Sequence, residues 1–276
     1  MGVDENINNI KIGDIILSVN ENKISTGNDL NKYIKESNGN EITLEIKRNG
    51  ETLYLNVLPK YDEISESYKL GLFVKDSSAG VGTVTFYEKN NNYFAALGHA
   101  VTETAENYIL PITSGAITST HIYSIKKGAA SSPGEIKGTV SNDIIGEIHG
   151  NTDKGIYGVY ENSDIDYKEI KIASCLDIKE GKASILVTLE DNKLEEFEIE
   201  IEKVLLTSTG NKNMIIRITD ENLIEKTGGI IQGMSGCPIL QDEKLVGAIT
   251  HVFLNDATRG YGVFIENMIF DMLSVN

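Results

Sequence analysis

The stretch TGGIIQGMSGCPIL, residues 227–240, is the most informative part of the sequence. It places Ser235 between Gly233 and Gly236, just ahead of an apolar run that predicts two strands. Glycine tolerates unusual backbone angles and has no Cβ, so backbone N–H groups and a substrate carbonyl can approach the serine hydroxyl closely. We interpret Ser235 as a candidate nucleophile and the N–H groups of Gly233 and Ser235 as a candidate oxyanion hole. The alternative is an ordinary glycine-rich hairpin.

A second stretch, YFAALGHAVTET at residues 93–104, supplies a candidate base. Its apolar run ends in Gly-His-Ala and places His99 at the end of a predicted strand. A serine hydroxyl is a poor nucleophile without a base to accept its proton. The order of His99 followed by Ser235 is that of the chymotrypsin arrangement, in which the histidine lies in one barrel and the serine in the next.

Five segments between residues 69 and 240 share their order with a known family. They are KLGLFVKDSSAGVGTVTFY, ALGHAV, ITSTHIYSIKKGAASSPGEIKGTV, IHGNTDKGIYG and ITDENLIEKTGGIIQGMSGCPIL. These segments resemble the stage IV sporulation protein B family, signalling serine peptidases of endospore-forming bacteria. The resemblance implies a chymotrypsin-like domain of two packed β-barrels with the active site at their seam.

A catalytic triad also needs a carboxylate that orients the histidine and stabilises its cation. The family's pattern ITD…GGIIQGMSG implies that this residue is Asp220. Asp220 also stands where an N-cap would begin a short helix at DENLIEK, so a structural role is the alternative. Asp143 competes for the triad role, because it follows His99 at about the spacing of the chymotrypsin template.

The hydrophobic pattern predicts a mainly β chain with an α+β module at its start. Residues 1–58 resemble a PDZ domain, with a GDII run, a short helix carrying Leu30, Tyr33 and Ile34 on one face, and an Asn49-Gly50 hairpin turn. The strand and loop that hold a peptide carboxylate normally come earlier in a PDZ domain, so we expect this module to be amino-terminally incomplete. The module is also a candidate surface for self-association.

Residues 59–69, PKYDEISESYK, are polar and open with a proline, which predicts a linker. Residues 70–276 show many short apolar runs separated by glycine turns, which predicts the all-β peptidase domain. Within this domain FEIEIEKVLL, residues 197–206, predicts a strand with one wet face. The last segment has helical spacing and predicts a terminal helix docked through an apolar stripe, formed by Ile265, Met268, Ile269, Met272 and Leu273.

Composition limits the other possible functions. The chain of 276 residues is 40% hydrophobic, which suffices for two modest domains with their own cores. Its 41 acidic and 25 basic residues give a net charge of −16, which repels phosphate backbones and disfavours a nucleic-acid partner. Polypeptide partners fit this charge better. The two cysteines, Cys175 and Cys237, cannot form a disulfide framework and are interpreted as buried thiols.

The remaining histidines show no metal-ligand spacing, and no phosphate-binding motif occurs, so we expect neither a metal nor a cofactor. We expect His121, His149 and His251 to be ordinary strand or loop residues, although His251 or Thr250 could line a specificity pocket. No run of 18 apolar residues occurs, and the first residues, MGVDENINN, are polar and acidic. We therefore expect no signal or membrane segment in this chain, whereas members of the family carry an amino-terminal membrane segment.

The resemblance implies a serine endopeptidase of sporulation signalling that also cleaves itself. Its substrate would be a regulatory complex embedded in a membrane, in the extracytoplasmic space between forespore and mother cell. One alternative is a catalytically silent PDZ-bearing scaffold, which the presence of both His99 and Ser235 disfavours. The other is a quality-control protease of the HtrA type, in which the protease usually precedes the PDZ modules.

Overall fold

The computed structural model describes residues 9–48, 50–103, 108–110, 112, 114–128, 134–161, 168–189 and 193–276. The chain divides into two compact units, Met1–Gly80 and Val81–Asn276. Strands predominate in the second unit, which contains both His99 and Ser235.

The first unit is an antiparallel sheet covered by a helix. Its elements are β1 (Ile15–Val19), β2 (Asn22–Lys23), α1 (Gly27–Glu36), β3 (Ile42–Arg48) and β4 (Glu51–Val57). The strands lie in the order β2-β1-β3-β4. Helix α1 begins with a capping box, in which the Thr26 hydroxyl accepts the Asp29 N–H and the Asp29 carboxylate accepts the Thr26 N–H. Leu30 and Ile34 are buried against the sheet, as the sequence predicts.

Residues 59–69, predicted to be a linker, are folded in this structure. They contain the antiparallel pair β5 (Lys60–Asp62) and β6 (Ser67–Lys69). Tyr61 and Tyr68 are cross-strand partners whose rings meet edge to face, 5.3 Å apart at 70°. Tyr68 and Leu70 also pack in the core of the first unit, so that unit extends past the expected boundary. The predicted turn at Asn49-Gly50 joins β3 to β4, but Asn49 lies outside the described residues.

The second unit begins with an open five-stranded sheet. Its strands are β7 (Val84–Glu88), β8 (Tyr93–Ala96), β11 (Ala116–Lys126), β12 (Glu135–Thr152) and β13 (Gly155–Tyr160). They lie in the order β11-β12-β13-β8-β7. Between β8 and β11 the short strands β9 (Thr102–Glu103) and β10 (Tyr108–Ile109) form a separate pair. His99 follows β8, and its ring is half-buried.

Six further strands close into a barrel. The elements of this part are β14 (Lys171–Ile172), β15 (Gly181–Thr188), β16 (Leu194–Val204), β17 (Met214–Ile218), α2 (Glu221–Thr227), β18 (Pro238–Gln241), β19 (Lys244–Phe253) and β20 (Asp256–Phe264). The barrel order is β19-β18-β15-β16-β17-β20, and β20 pairs back onto β19. Phe197, Ile199 and Ile201 of β16 are buried, which confirms the predicted strand with one buried and one solvent-exposed face. Ser235 lies in the loop between α2 and β18.

The chain ends in helix α3 (Ile265–Val275). Ile265, Met268 and Met272 are buried, whereas Leu273 is exposed because it falls at the edge of the apolar stripe. The buried Asp271 carboxylate accepts a hydrogen bond from the Thr152 hydroxyl at 2.6 Å and pairs with Lys154 at 3.2 Å, which ties the helix to β12.

The predicted mainly β architecture, an α+β module followed by a strand-rich domain, is confirmed, with one difference from the expected pair of barrels. The second barrel is closed, whereas the first, over the residues that the structure describes, is an open half-barrel. Across those same residues, no helix is both long and apolar enough to cross a membrane.

Candidate active site

The loop around Ser235 is fixed through its carbonyl groups. The Gln232 carbonyl accepts the Ile136 N–H at 2.8 Å, and the Gly233 carbonyl accepts the Thr83 hydroxyl at 2.9 Å. The Ser235 carbonyl accepts the Thr83 N–H at 2.9 Å. These bonds come from β12 and from the residues around β7, so the open sheet holds the Ser235 loop of the closed barrel.

The N–H groups of the same loop are only partly engaged. Met234 N–H donates to the Ile231 carbonyl at 3.1 Å, and Gly236 N–H donates to the Ile249 carbonyl at 2.8 Å. Among the described residues, the N–H groups of Gly233 and Ser235 donate to no backbone carbonyl or side chain. Buried or half-buried N–H groups are nearly always paired. The two donors on either side of Met234 are therefore available to a ligand, which is what an oxyanion hole requires.

The residues before His99 have a strained backbone. Leu97 and Gly98 both have positive φ, 71° and 67°, and this region is uncommon for leucine. Both lie against the barrel: a Cβ added to Gly236 would fall 2.6 Å from Leu97 N, and one added to Gly98 would fall 3.0 Å from a Thr250 methyl group. The two loops that carry His99 and Ser235 therefore adjoin.

The hydrogen bonding of His99 selects one tautomer. Its Nδ1 lies 2.8 Å from the carbonyl oxygen of Ala100. A carbonyl only accepts, so Nδ1 carries the proton and Nε2 has the free lone pair. This is the tautomer that a general base of a serine peptidase uses.

The Ser235 hydroxyl is held by a backbone carbonyl. Its Oγ donates to the Thr250 carbonyl on β19 at 3.2 Å. The Thr250 side chain is itself fixed, because its hydroxyl lies 3.2 Å from the carbonyls of both Asn211 and Tyr261. The structure therefore shows a resting arrangement in which the hydroxyl is oriented by β19 and not by His99.

Asp220 occupies the N-cap of α2. One carboxylate oxygen accepts the Leu223 N–H at 3.1 Å and the other accepts the Glu198 N–H at 3.4 Å. Asp143 is exposed and accepts the Ser141 hydroxyl at 3.0 Å. Within the described part of the chain, neither carboxylate is hydrogen-bonded to His99. The structural alternative for Asp220 is thus the role observed, and we base the expected effect of its replacement on this role and not on the triad role that the resemblance implies.

We expect the variant Asp220→Asn to keep the fold, because asparagine caps a helix about as well as aspartate. Its turnover should fall by less than about tenfold, far from the ~10⁴-fold loss that follows when a triad carboxylate is changed to the amide. Steady-state kinetics of Asp220→Asn beside wild type would measure this. Asp220→Ala is the control, since losing the cap costs about 1 kcal/mol of stability. A ~10⁴-fold loss in a folded Asp220→Asn protein would show that Asp220 supports His99 during turnover.

The other histidines occupy different surroundings. His121 and His149 are exposed on β11 and β12, and His149 Nδ1 lies 2.8 Å from Asn276 Oδ1. His251, by contrast, follows Thr250 on β19, and its ring centroid lies 4.9 Å from that of His99. No cluster of three or more potential metal ligands occurs among the residues described in the structure.

Cys237 lies two residues after Ser235 but is unsuited to attack. Its side chain is fully buried, and its Sγ lies 3.5 Å from the Thr83 hydroxyl. Burial raises the pKa of the Cys237 thiol to about 12. A thiol attacks as the thiolate, so Cys237 stays inert at neutral pH. Cys175 is partly exposed, and its thiol pKa is also raised, chiefly by a hydrogen bond to Glu266.

The sequence did not reveal two threonines that support the loop. Thr83 and Thr85 lie in the GVGTVTFY segment, and the Thr85 hydroxyl donates to the Gly236 carbonyl at 2.8 Å. Their alternation would place both on one face of a strand. Nothing in the spacing connects that face with a loop so distant in the chain.

Comparison with known proteins places the chain among peptidases. Residues 66–269 match the family described as SpoIVB peptidase S55, and residues 5–58 match the PDZ domain. The solved structure of the HtrA-type protease AlgW with a decapeptide is similar, with a TM-score of 0.43 and 10% identity over 83% of this chain and 55% of that one. The active form of the Rv3671c protease from M. tuberculosis is also similar, with a TM-score of 0.36 and 13% identity over 51% of this chain and 63% of that one. The chain thus spans little more than half the length of the AlgW chain.

Proposed function

The chain belongs to the SpoIVB peptidase S55 family, and we propose from this that it is a serine endopeptidase with Ser235 as nucleophile and His99 as general base. The family match supports the serine peptidase predicted from the sequence. The assignment of Ser235 and His99 rests on the contact between the two loops that carry them. There the His99 Nε2 lone pair, the Ser235 hydroxyl and two unpaired N–H groups belong to adjoining segments.

Catalysis in this arrangement begins with the Ser235 hydroxyl leaving the Thr250 carbonyl by rotation of its side chain. His99 Nε2 then takes the hydroxyl proton as Oγ attacks the peptide carbonyl. The negative charge that develops on the carbonyl oxygen is stabilised by the Gly233 and Ser235 N–H groups. The His99 cation returns its proton to the leaving amine, and water releases the acyl group by the same steps in reverse.

The substrate that we propose is a polypeptide, namely a regulatory protein of a membrane-embedded complex, cleaved outside the cytoplasm during sporulation. The family name supports the sporulation context. Self-cleavage belongs to the same proposal. Residues 71–80 suit it, since they are largely exposed and form no helix or strand, and extended exposed segments are preferred by proteases. The PDZ-like module, residues 5–58, is proposed to bind polypeptide, including a second copy of this chain.

A fluorophosphonate probe tests the class of the enzyme. The probe reacts with activated serine hydroxyls, so we expect covalent label at Ser235 in wild type, located by peptide mass spectrometry. His99→Ala should label far more slowly, because the base is missing. A wild-type protein that stays unlabelled while folded would contradict the proposal and favour the catalytically silent scaffold.

A further inference from the structure

His251 shares the site with His99 but has no part in the chemistry described so far. The two ring centroids are 4.9 Å apart, and the ring planes are inclined by 39°. His251 is carried on β19, one residue after the carbonyl that holds the Ser235 hydroxyl. The strand that positions the nucleophile therefore also brings a second imidazole against the base.

The His251 ring is held in the neutral form. Its Nδ1 atom is buried and has no hydrogen-bond partner among the described residues. Burial lowers the pKa of His251 to about 4, and the electrostatic influence of the neighbouring His99 and Lys212 acts in the same direction. Buried polar atoms are normally paired, so an unpaired one in a native structure calls for a reason.

We propose that His251 is a positioning residue, whose uncharged ring supports the His99 imidazole in the orientation set by the Ala100 carbonyl. This proposal rests on the assignment of His99 as the base. Across the described residues no carboxylate is hydrogen-bonded to His99, and its imidazole contacts the Ala100 carbonyl and the His251 ring. A base held by one hydrogen bond from Nδ1 can still swing about that bond, and a ring packed beside it restricts the swing.

The same contact stabilises His99 when it becomes a cation. An aromatic ring attracts a neighbouring cation through its π electrons, and the attraction grows when water is excluded. A neutral His251 can supply this attraction without adding positive charge beside His99. The nearby Lys212 is exposed, with its Nζ over the Tyr261 ring at 5.0 Å.

Two substitutions separate positioning from simple structural support. His251→Ala removes the ring, and we expect kcat to fall by about 10²-fold, the effect of a reacting group misplaced by about 1 Å. The KM should stay close to that of wild type, because substrate binding is not the function assigned to this ring. His251→Phe keeps an aromatic ring and should recover most of the lost turnover. His121→Ala, which removes an exposed imidazole from the open sheet, is the matched control and should behave as wild type.

A second measurement does not need activity. In nitrogen-15 spectra of the histidine side chains, the Nδ1–H of His99 should exchange slowly in wild type and in His251→Phe, and rapidly in His251→Ala. This measurement tests the positioning role even if the protein shows no proteolysis. An absence of proteolysis would count against the proposed function and not against the positioning role. Wild-type turnover in a folded His251→Ala protein would overturn the proposal. Equal losses of turnover in the Ala and Phe variants, with unchanged His99 spectra, would overturn it as well.

Discussion

Replacing either Ser235 or His99 by alanine is expected to lower peptide hydrolysis by about 10⁶-fold, the loss seen when a nucleophile or its base is removed from a serine peptidase. Ser235→Ala removes the attacking oxygen, and His99→Ala leaves the hydroxyl without an acceptor for its proton. Both residues are only half-buried, so neither change leaves a large core cavity. Hydrolysis of an unstructured polypeptide by wild type and by each variant would measure the loss.

The double variant distinguishes a shared mechanism from two separate effects. Residues that act as a unit are strongly non-additive, so Ser235→Ala combined with His99→Ala should be no slower than either single variant. Intact-mass analysis over time adds a test of self-cleavage, which should occur in wild type and be absent from Ser235→Ala. Equal hydrolysis by wild type and Ser235→Ala would assign the activity to another residue or to a contaminant.

Ser235 and His99 could be selected as candidate nucleophile and candidate base because each carries a local signal. Glycines flank Ser235, and Gly-His-Ala ends the strand before His99. Both patterns have the same structural cause. At Gly236 and at Gly98 a neighbouring segment of the chain comes so close that a Cβ atom would crowd it. A Cβ on Gly236 would lie 2.2 Å from the Thr83 carbonyl oxygen, so this position excludes any other side chain. Such steric demands leave a trace in the sequence.

The threonines that hold the Ser235 loop have no comparable local signal. Thr83 and Thr85 act through contacts with a loop that lies far later in the chain. From the sequence, Thr250 and His251 are candidates only for a specificity pocket, whereas the structure places them in contact with Ser235 and His99. A threonine or histidine in a strand is compatible with many environments, so only the fold reveals which one faces the site. Asp220 was ambiguous for a related reason, because an N-cap aspartate and a triad aspartate can occupy the same sequence position.

The folded hairpin at residues 59–69 shows a different limit of prediction from sequence. Its charged and polar composition predicts exposure, and the segment is indeed largely exposed. Its order comes from one tyrosine pair, from the ion pair between Lys69 and Asp62 at 2.6 Å, and from Tyr68 packing onto the core of the first unit. Two aromatic residues seven positions apart indicate such a pairing only when the turn between them is known. Composition therefore predicted the solvent exposure of this segment but not its structure.

Gly233→Ala is expected to lower turnover by about 10²-fold or more, the loss that follows from removing one oxyanion-hole donor. Gly233 has φ +104°, a backbone angle that alanine adopts only with strain of about 1–3 kcal/mol. An added Cβ would also lie 3.0 Å from the Ile136 side chain, which forms one wall of the loop. If the backbone shifts to relieve the strained φ or the close contact with Ile136, the Gly233 N–H turns away from the position of the oxyanion. Both kcat and the free energy of unfolding should be measured.

Gly210→Ala provides the control for this experiment. Nothing lies within 4 Å of a Cβ added to Gly210, so alanine there should leave both turnover and stability almost unchanged. A Gly233→Ala protein that loses stability but keeps wild-type kcat would contradict the oxyanion assignment, because its backbone would then matter for folding alone. A large fall in kcat with KM little changed would support the assignment, since the N–H groups bind the transition state more strongly than the ground state. The fluorophosphonate reaction should slow in parallel, because its phosphoryl oxygen occupies the same hole.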